Sequence, residues 1–177
     1  MSVLTNLSKI LDSIDRKLTV AEQAVVAALL IVMTLMIFVA VIERFVFQMG
    51  ITWLEELSRY VSVWAAFVGS SLAAKKGAHI GIEAFVQLLP PRARRWEDLL
   101  VDLVGVVFSA VVVTVGVGFL NRLVLTNQIS PAMRINMVWA YAAVPVGCAL
   151  MGVHYVIKFV VGLYALLSGE ADIEGRA

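Results

Sequence analysis

The sequence predicts an all-α integral membrane protein with four transmembrane helices, both termini on the cytoplasmic side, and an amphipathic interfacial helix at the N-terminus. Of the 177 residues, 61% are hydrophobic and only 15% are charged, and the mean hydropathy is +0.92. A water-soluble domain cannot bury so much apolar surface. The apolar residues also form blocks of roughly 20, the length at which a helix crosses a hydrocarbon layer about 30 Å thick.

Residues 1–19 form the predicted amphipathic helix, which we expect to lie on the inner leaflet. Apolar side chains recur there every three or four positions, while Asp15 and Arg16 fall on other faces. Contact with another cytoplasmic segment is a second interpretation, since such a stripe does not identify its partner. The apolar positions are Val3, Leu4, Leu7, Ile10, Leu11, Ile14 and Leu18.

The membrane domain is predicted to cover residues 20–163, and residues 164–177 form a cytoplasmic tail. The first span contains twenty consecutive uncharged residues, and the second carries its charges in its first turns. A weaker apolar face over residues 79–89 predicts a second interfacial element between spans two and three. The four predicted spans are about 20–42, 53–74, 99–121 and 135–158.

Prolines mark two of these spans. Pro90 and Pro91 precede the third, where proline suits a first helical turn. Pro145 lies inside the fourth span. Because proline has no amide proton to donate, we expect a kink there and a free carbonyl near Tyr141.

The distribution of basic residues predicts the orientation of the spans across the membrane. Eight lysines and arginines lie before span one or between spans two and three, against three on the opposite side. The positive-inside rule therefore places the termini and the central loop in the cytoplasm. The two sets are Lys9, Arg16, Lys17, Lys75, Lys76, Arg92, Arg94 and Arg95 on one side, and Arg44, Arg122 and Arg134 on the other.

The most informative polar residues open span two. Charges at the edge of a span are costly, so Trp53, Glu55, Glu56 and Arg59, with Arg44 on the same side, predict a surface that docks a neighbouring subunit or a soluble partner. A second interpretation is that these side chains only reach into the lipid headgroups. A proton relay is disfavoured, because no ionisable group except Tyr60 follows in span two.

Small residues at four-residue spacing predict close contacts between helices. An equally open interpretation is that small residues are simply common in membrane helices. The candidate packing residues are Ala65, Gly69 and Ala73 in span two, Gly105 and Gly118 in span three, and Gly147 in span four.

Several classes of function are disfavoured. The net charge of +1 provides no broad basic field for nucleic acid, and Cys148, the only cysteine, cannot form an intrachain disulfide. The sequence shows no carboxylate or thiol set that completes a metal site around His79 or His154. Nucleotide-binding loops and serine elbows are also missing, so we expect neither an enzyme nor a cofactor.

Over nearly the whole chain, the ordered motifs resemble the small membrane subunit, DctQ type, of tripartite ATP-independent periplasmic (TRAP) transporters. Asn136 departs from the pattern, which has proline at that position. The motifs are Trp53, Glu55, Glu56 and Arg59, then Trp64, Phe67 and Gly69, then Lys76, His79, Ile80, Leu89 and Pro90, and finally Ser130, Pro131, Met133, Ile135, Tyr141, Pro145 and Gly147.

The resemblance implies a small scaffold subunit of a sodium-coupled, binding-protein-dependent secondary transporter for organic anions such as dicarboxylates or sialic acid. Its implied partners in the bacterial inner membrane are a large polytopic DctM-type subunit, a periplasmic substrate-binding protein and membrane lipid. The alternative is a four-helix proton-coupled exporter that acts as a dimer. Such an exporter needs an acid deep in a span, whereas Glu22 and Asp102 lie near span ends. A membrane enzyme ranks last.

Overall fold

The computed structural model describes residues 2–48, 50–75 and 91–167. In this part of the chain the regular elements are helices, apart from one isolated antiparallel bridge between Ile129 and Asn136. The predicted interfacial element at 79–89 and most of the predicted tail lie outside the described residues. The helices are α1 (Ser2–Val46), α2 (Thr52–Lys75), α3 (Pro91–Leu125), α4 (Val138–Tyr141) and α5 (Ala143–Leu167).

Helix α1 runs unbroken through 45 residues. It contains no glycine or proline, so nothing in its sequence interrupts the backbone hydrogen bonds. At 1.5 Å per residue it is about 68 Å long, more than twice the thickness of a hydrocarbon layer. The predicted surface helix at 1–19 and the first predicted span are therefore parts of one continuous helix, which ends just before Gln48, where φ is 51°.

Three helical segments are long and apolar enough to cross a membrane: Ser13–Val46, Trp96–Leu125 and Val138–Tyr164. They correspond to the first, third and fourth predicted spans. Helix α2 has 24 residues, about 36 Å, but its acidic first turns and its serines make it less apolar, and it is not among the three. By length and composition, the described residues thus contain three clear candidate spans and one less apolar helix.

The long helices pack in the spatial order α1, α2, α5, α3. Helix α5 packs against both α2 and α3, while α1 packs mainly against α2. Helices α1 and α3 therefore lie at the two edges of the row and expose many large apolar side chains, such as Leu35 and Phe38 of α1 and Val111 and Val115 of α3. Those surfaces suit lipid or another membrane protein.

Glycines allow close approach on both sides of α5. A Cβ atom added at Gly147 would lie 2.6 Å from Cβ of Phe67 and 2.8 Å from its backbone on α2. On the other side, a Cβ at Gly105 of α3 would lie 2.6 Å from the ring of Tyr155. In membranes, where the hydrophobic effect does not drive helices together, this kind of tight packing supplies much of the attraction.

The fourth predicted span is interrupted between α4 and α5, at Ala142. The amide of Val146 donates to the Ala142 carbonyl over 3.1 Å, but Pro145 has no proton to give to Tyr141. The interruption thus lies where the position of Pro145 predicts it.

Candidate functional site

The structure contains two polar clusters at opposite ends of α2. The first, which we call the loop-side cluster, lies where the end of α1, the start of α2 and the loop before α4 meet. It comprises Arg44, Trp53, Glu55, Glu56, Arg59 and Tyr60, with residues 130–136 of the loop. The second, which we call the buried junction, joins α1, the end of α2 and α5. It comprises Asp15, Thr19, Glu22, Ser71, Lys75 and His154.

Glu55 is the centre of the exposed part of the loop-side cluster. Its Oε1 lies 3.8 Å from Nη1 of Arg44, and its Oε2 lies 3.9 Å from Nη2 of Arg59. The arginine side chains are 72% and 77% exposed, and that of Glu55 is 46% exposed. Trp53 beside them is also exposed. Ion pairs this long and this accessible contribute little to folding.

Glu56 has a different role from its neighbour, because it contacts the loop before α4. Its Oε2 accepts hydrogen bonds from the backbone amides of Ala132 at 2.9 Å and Met133 at 3.2 Å, and its Oε1 accepts one from the Tyr60 hydroxyl. The Ser130 hydroxyl accepts from the Met133 amide at 3.2 Å and is buried. Glu56 therefore fixes this turn to the start of α2.

The rest of the loop is also hydrogen-bonded. The Ser130 amide donates to the Ile135 carbonyl over 2.8 Å, and Arg134 has a φ of 54°. Asn136, where the resembled family has proline, accepts a hydrogen bond from the Val138 amide at 2.9 Å through its side chain. The indole of Trp64 donates to the carbonyl of Trp139 over 3.0 Å. These bonds hold the loop and α4 against α2.

His154 of α5 lies at the centre of the buried junction and is 1% exposed. Its Nδ1 is 2.6 Å from Oδ1 of Asp15, and its Nε2 is 3.2 Å from Oε2 of Glu22. Both acids come from α1, and Glu22 is 3% exposed. Each ring nitrogen of His154 therefore contacts a different carboxylate group.

Helix α2 completes the junction. The Ser71 hydroxyl donates to Glu22 over 3.2 Å, and Nζ of Lys75 lies 2.5 Å from Oδ2 of Asp15. Lys75 also donates to the Thr19 hydroxyl. The six side chains therefore connect three helices through polar contacts in an environment of low dielectric, where such contacts are strongest.

The sequence analysis considers His154 only as a metal ligand and does not identify the two carboxylates that contact its ring. A signal was present: Asp15, Thr19 and Glu22 recur at intervals of four and three, which places them on one face of α1. Interpreting 1–19 as a separate surface helix assigned Asp15 to a polar face away from the membrane. Among the described residues, no group has an arrangement suited to holding a metal ion.

The predicted packing residues differ in whether they contact a neighbouring helix. Gly105 and Gly147 lie at the helix contacts described above, whereas a Cβ added at Gly118 or Gly69 would meet nothing within 4 Å among the described residues. Ala65 is buried.

A groove of about 570 Å³ lies between α1 and α2. Its α2 side contains Ala65, Gly69 and Ala73, the three predicted packing positions of that helix. Its α1 side is formed by the larger apolar residues Val26, Leu30 and Met33.

Comparison with known proteins gives a consistent result. The model of the family described as "Tripartite ATP-independent periplasmic transporters, DctQ component" matches residues 33–164. The C4-dicarboxylate TRAP transporter small permease protein DctQ of Rhodobacter capsulatus is 26% identical, with 74% of this chain and 71% of that protein covered. The sialic acid TRAP transporter small permease protein SiaQ of Vibrio cholerae is 28% identical, with 96% and 92% covered.

A longer relative shares the same segment. The sialic acid TRAP transporter permease protein SiaT of Haemophilus influenzae is 27% identical, and the match covers 66% of this chain but only 18% of that protein. The family match extends over most of the chain and includes both α2 and the loop before α4. This protein belongs to the DctQ family, the small permease component of TRAP transporters.

Proposed function

We propose that this protein is the small scaffold subunit of a sodium-coupled, binding-protein-dependent secondary transporter for organic anions. In this role it supports a large transport subunit and the docking of a periplasmic binding protein. Relatives that act in C4-dicarboxylate and sialic acid transport support the substrate class. We expect no catalytic activity, since the family is a membrane component of a transporter.

The exposure of the edge helices is the observation that carries the scaffold role. None of the most apolar stretch of α1 is buried, and only 6% of that of α3 is. A compact transporter encloses a polar path between its helices, whereas a row of helices leaves both edges free for lipid or for a larger neighbour. The fused relative SiaT, in which the matching segment is 18% of a longer permease, supports a large subunit as that neighbour.

We further propose that α2 crosses the membrane together with the three clearer candidate spans. It packs lengthwise between α1 and α5, and about 36 Å of helix is long enough to cross. The excess of basic residues in the N-terminal part of α1 and around the connection from α2 to α3 supports cytoplasmic termini. The protein then lies in the bacterial inner membrane, with the loop-side cluster facing the periplasm.

Within the loop-side cluster, we assign partner contact to the exposed side chains of Arg44, Trp53, Glu55 and Arg59. Their weak mutual pairing supports this role, because little stability is lost when a partner replaces those contacts. Glu56 acts through the loop it holds, by keeping the turn at 131–133 in place.

Purification of a tagged copy from native membranes tests the scaffold role. We expect a large polytopic subunit to co-purify with it. Vesicles that contain both subunits should take up organic anions when the binding protein and a sodium gradient are supplied. Vesicles that contain this chain alone should take up nothing. Uptake by the isolated chain would contradict the scaffold role and favour the proton-coupled exporter.

A further inference from the structure

We propose that Glu22 and His154 form a buried proton-binding site, in which the pair holds one proton and that proton keeps α1 attached to α2 and α5. The inference concerns the internal assembly of the subunit. It does not depend on the proposed transport role, since the contacts lie within this chain.

The contacts of the two His154 ring nitrogens indicate that the pair holds a proton. A neutral imidazole donates from one nitrogen and presents a bare lone pair at the other. When Nδ1 donates to Asp15 at 2.6 Å, Nε2 faces the Glu22 carboxylate at 3.2 Å. A lone pair facing an anion is repulsive, so either Nε2 or Glu22 must carry a hydrogen.

Charge counting gives the same result. Asp15 lies between two donors, Lys75 at 2.5 Å and His154 at 2.6 Å, and is therefore an anion paired with the Lys75 ammonium. An ionised Glu22 then leaves the junction with one negative charge. Because an unbalanced charge in a buried site is costly, one proton shared between Glu22 and His154 gives the stable, neutral arrangement.

The other described charges near this end do not enter the pair. Lys158 of α5 donates to the Ala74 carbonyl of α2 over 3.0 Å. Asp102 of α3 interacts with Lys158 and with Asp98 of its own helix. Arg16 and Lys17 of α1 are exposed. The ionisable group in contact with the pair is therefore Asp15, which contacts His154 and is itself paired with Lys75.

The test uses the full-length chain in lipid nanodiscs and compares apparent unfolding temperatures. His154→Gln leaves Glu22 without a proton partner, and we expect a loss of about 10 °C at neutral pH. Adding Glu22→Gln to the same chain removes the surplus charge and should recover most of that loss. Glu22→Gln alone leaves no unbalanced charge in the junction and should therefore cost less than His154→Gln.

Asp102→Asn is the matched control, because it removes an acid at the same end that has no contact with His154. Combined with His154→Gln, it should recover none of the lost stability. Losses from His154→Gln and Glu22→Gln that simply add would overturn the proposal, since packing alone predicts additivity.

A direct measurement covers the case in which the variants fail to insert. In a His79→Gln background, NMR of labelled histidine reports the ring of His154, and infrared spectroscopy reports protonated carboxyl groups. At neutral pH we expect either a doubly protonated ring or a protonated Glu22. A singly protonated ring together with an ionised Glu22 would overturn the proposal.

Discussion

The loop-side cluster and the buried junction both contain acids and bases, but their geometry differs. In the first, Glu55 lies 3.8 and 3.9 Å from two arginines that are mostly exposed. In the second, Asp15 lies 2.5 Å from Lys75 and 2.6 Å from His154, and Glu22 and His154 are almost fully buried. The same residue types are therefore exposed at one end, where we propose partner contact, and connect helices at the other.

This difference follows from solvation. Exposed ions interact with water and salt, and a partner can replace their contacts at little cost. Buried ions have lost their water and depend on each other, so removal of one leaves the other unsatisfied. Helix α2 shows both situations, with Glu55 near its start and Lys75 at its end.

The largest expected effect is at the buried junction. Lys75→Met removes the ammonium that balances Asp15 and should destabilise the chain by about 2 kcal/mol, below the usual cost for a broken buried pair because both side chains are partly accessible. Chemical unfolding in detergent measures it. Arg59→Met, at the opposite end of α2, is the control and should change stability by less than about 1 kcal/mol. Equal effects would remove the distinction between the clusters.

An intermediate and local effect is expected at Glu56. Glu56→Ala removes the acceptor for the Ala132 and Met133 amides, so hydrogen exchange at these two amides should accelerate by about tenfold or more. Exchange within α5 should not change. Glu55→Ala is the matched control and should leave the loop protected. Unchanged exchange in Glu56→Ala would show that other bonds suffice to hold the turn.

The smallest effect on stability, combined with a clear effect on assembly, is expected for Glu55 and Arg59. Glu55→Ala or Arg59→Ala should change stability by no more than about 1 kcal/mol and leave insertion intact. Each should nevertheless weaken co-purification of the large subunit or docking of the binding protein. Unchanged assembly and unchanged uptake in both variants would remove these residues from the partner surface.

Several features of the fold could be predicted from the sequence. Of the four spans predicted from the sequence, three are candidate spans in the structure and the second, α2, is not among them. Pro145 indicated the interruption before α5. The ordered motifs around Trp53 and Pro131 indicated the family that the comparison confirms. Each of these features is local, because hydropathy and the missing proline amide are properties of a short stretch of chain.

The buried junction and the bond from Glu56 to the loop could not be predicted in the same way. Asp15 and His154 are 139 residues apart, and Glu56 and Ala132 are 76 apart. Their contacts depend on which faces of α1, α2 and α5 meet. In lipid the hydrophobic effect does not select those faces, so fine packing at residues such as Gly147 does.

By itself, then, the sequence determined the membrane environment of this protein, three segments able to cross it and the family, because each depends on the identity and order of residues along the chain. Only the tertiary structure decided that the helices pack as a row, that Glu56 holds a loop, and that Glu22 and His154 face each other. These are relations between distant segments, and in a membrane they arise from shape and hydrogen bonding between helix faces.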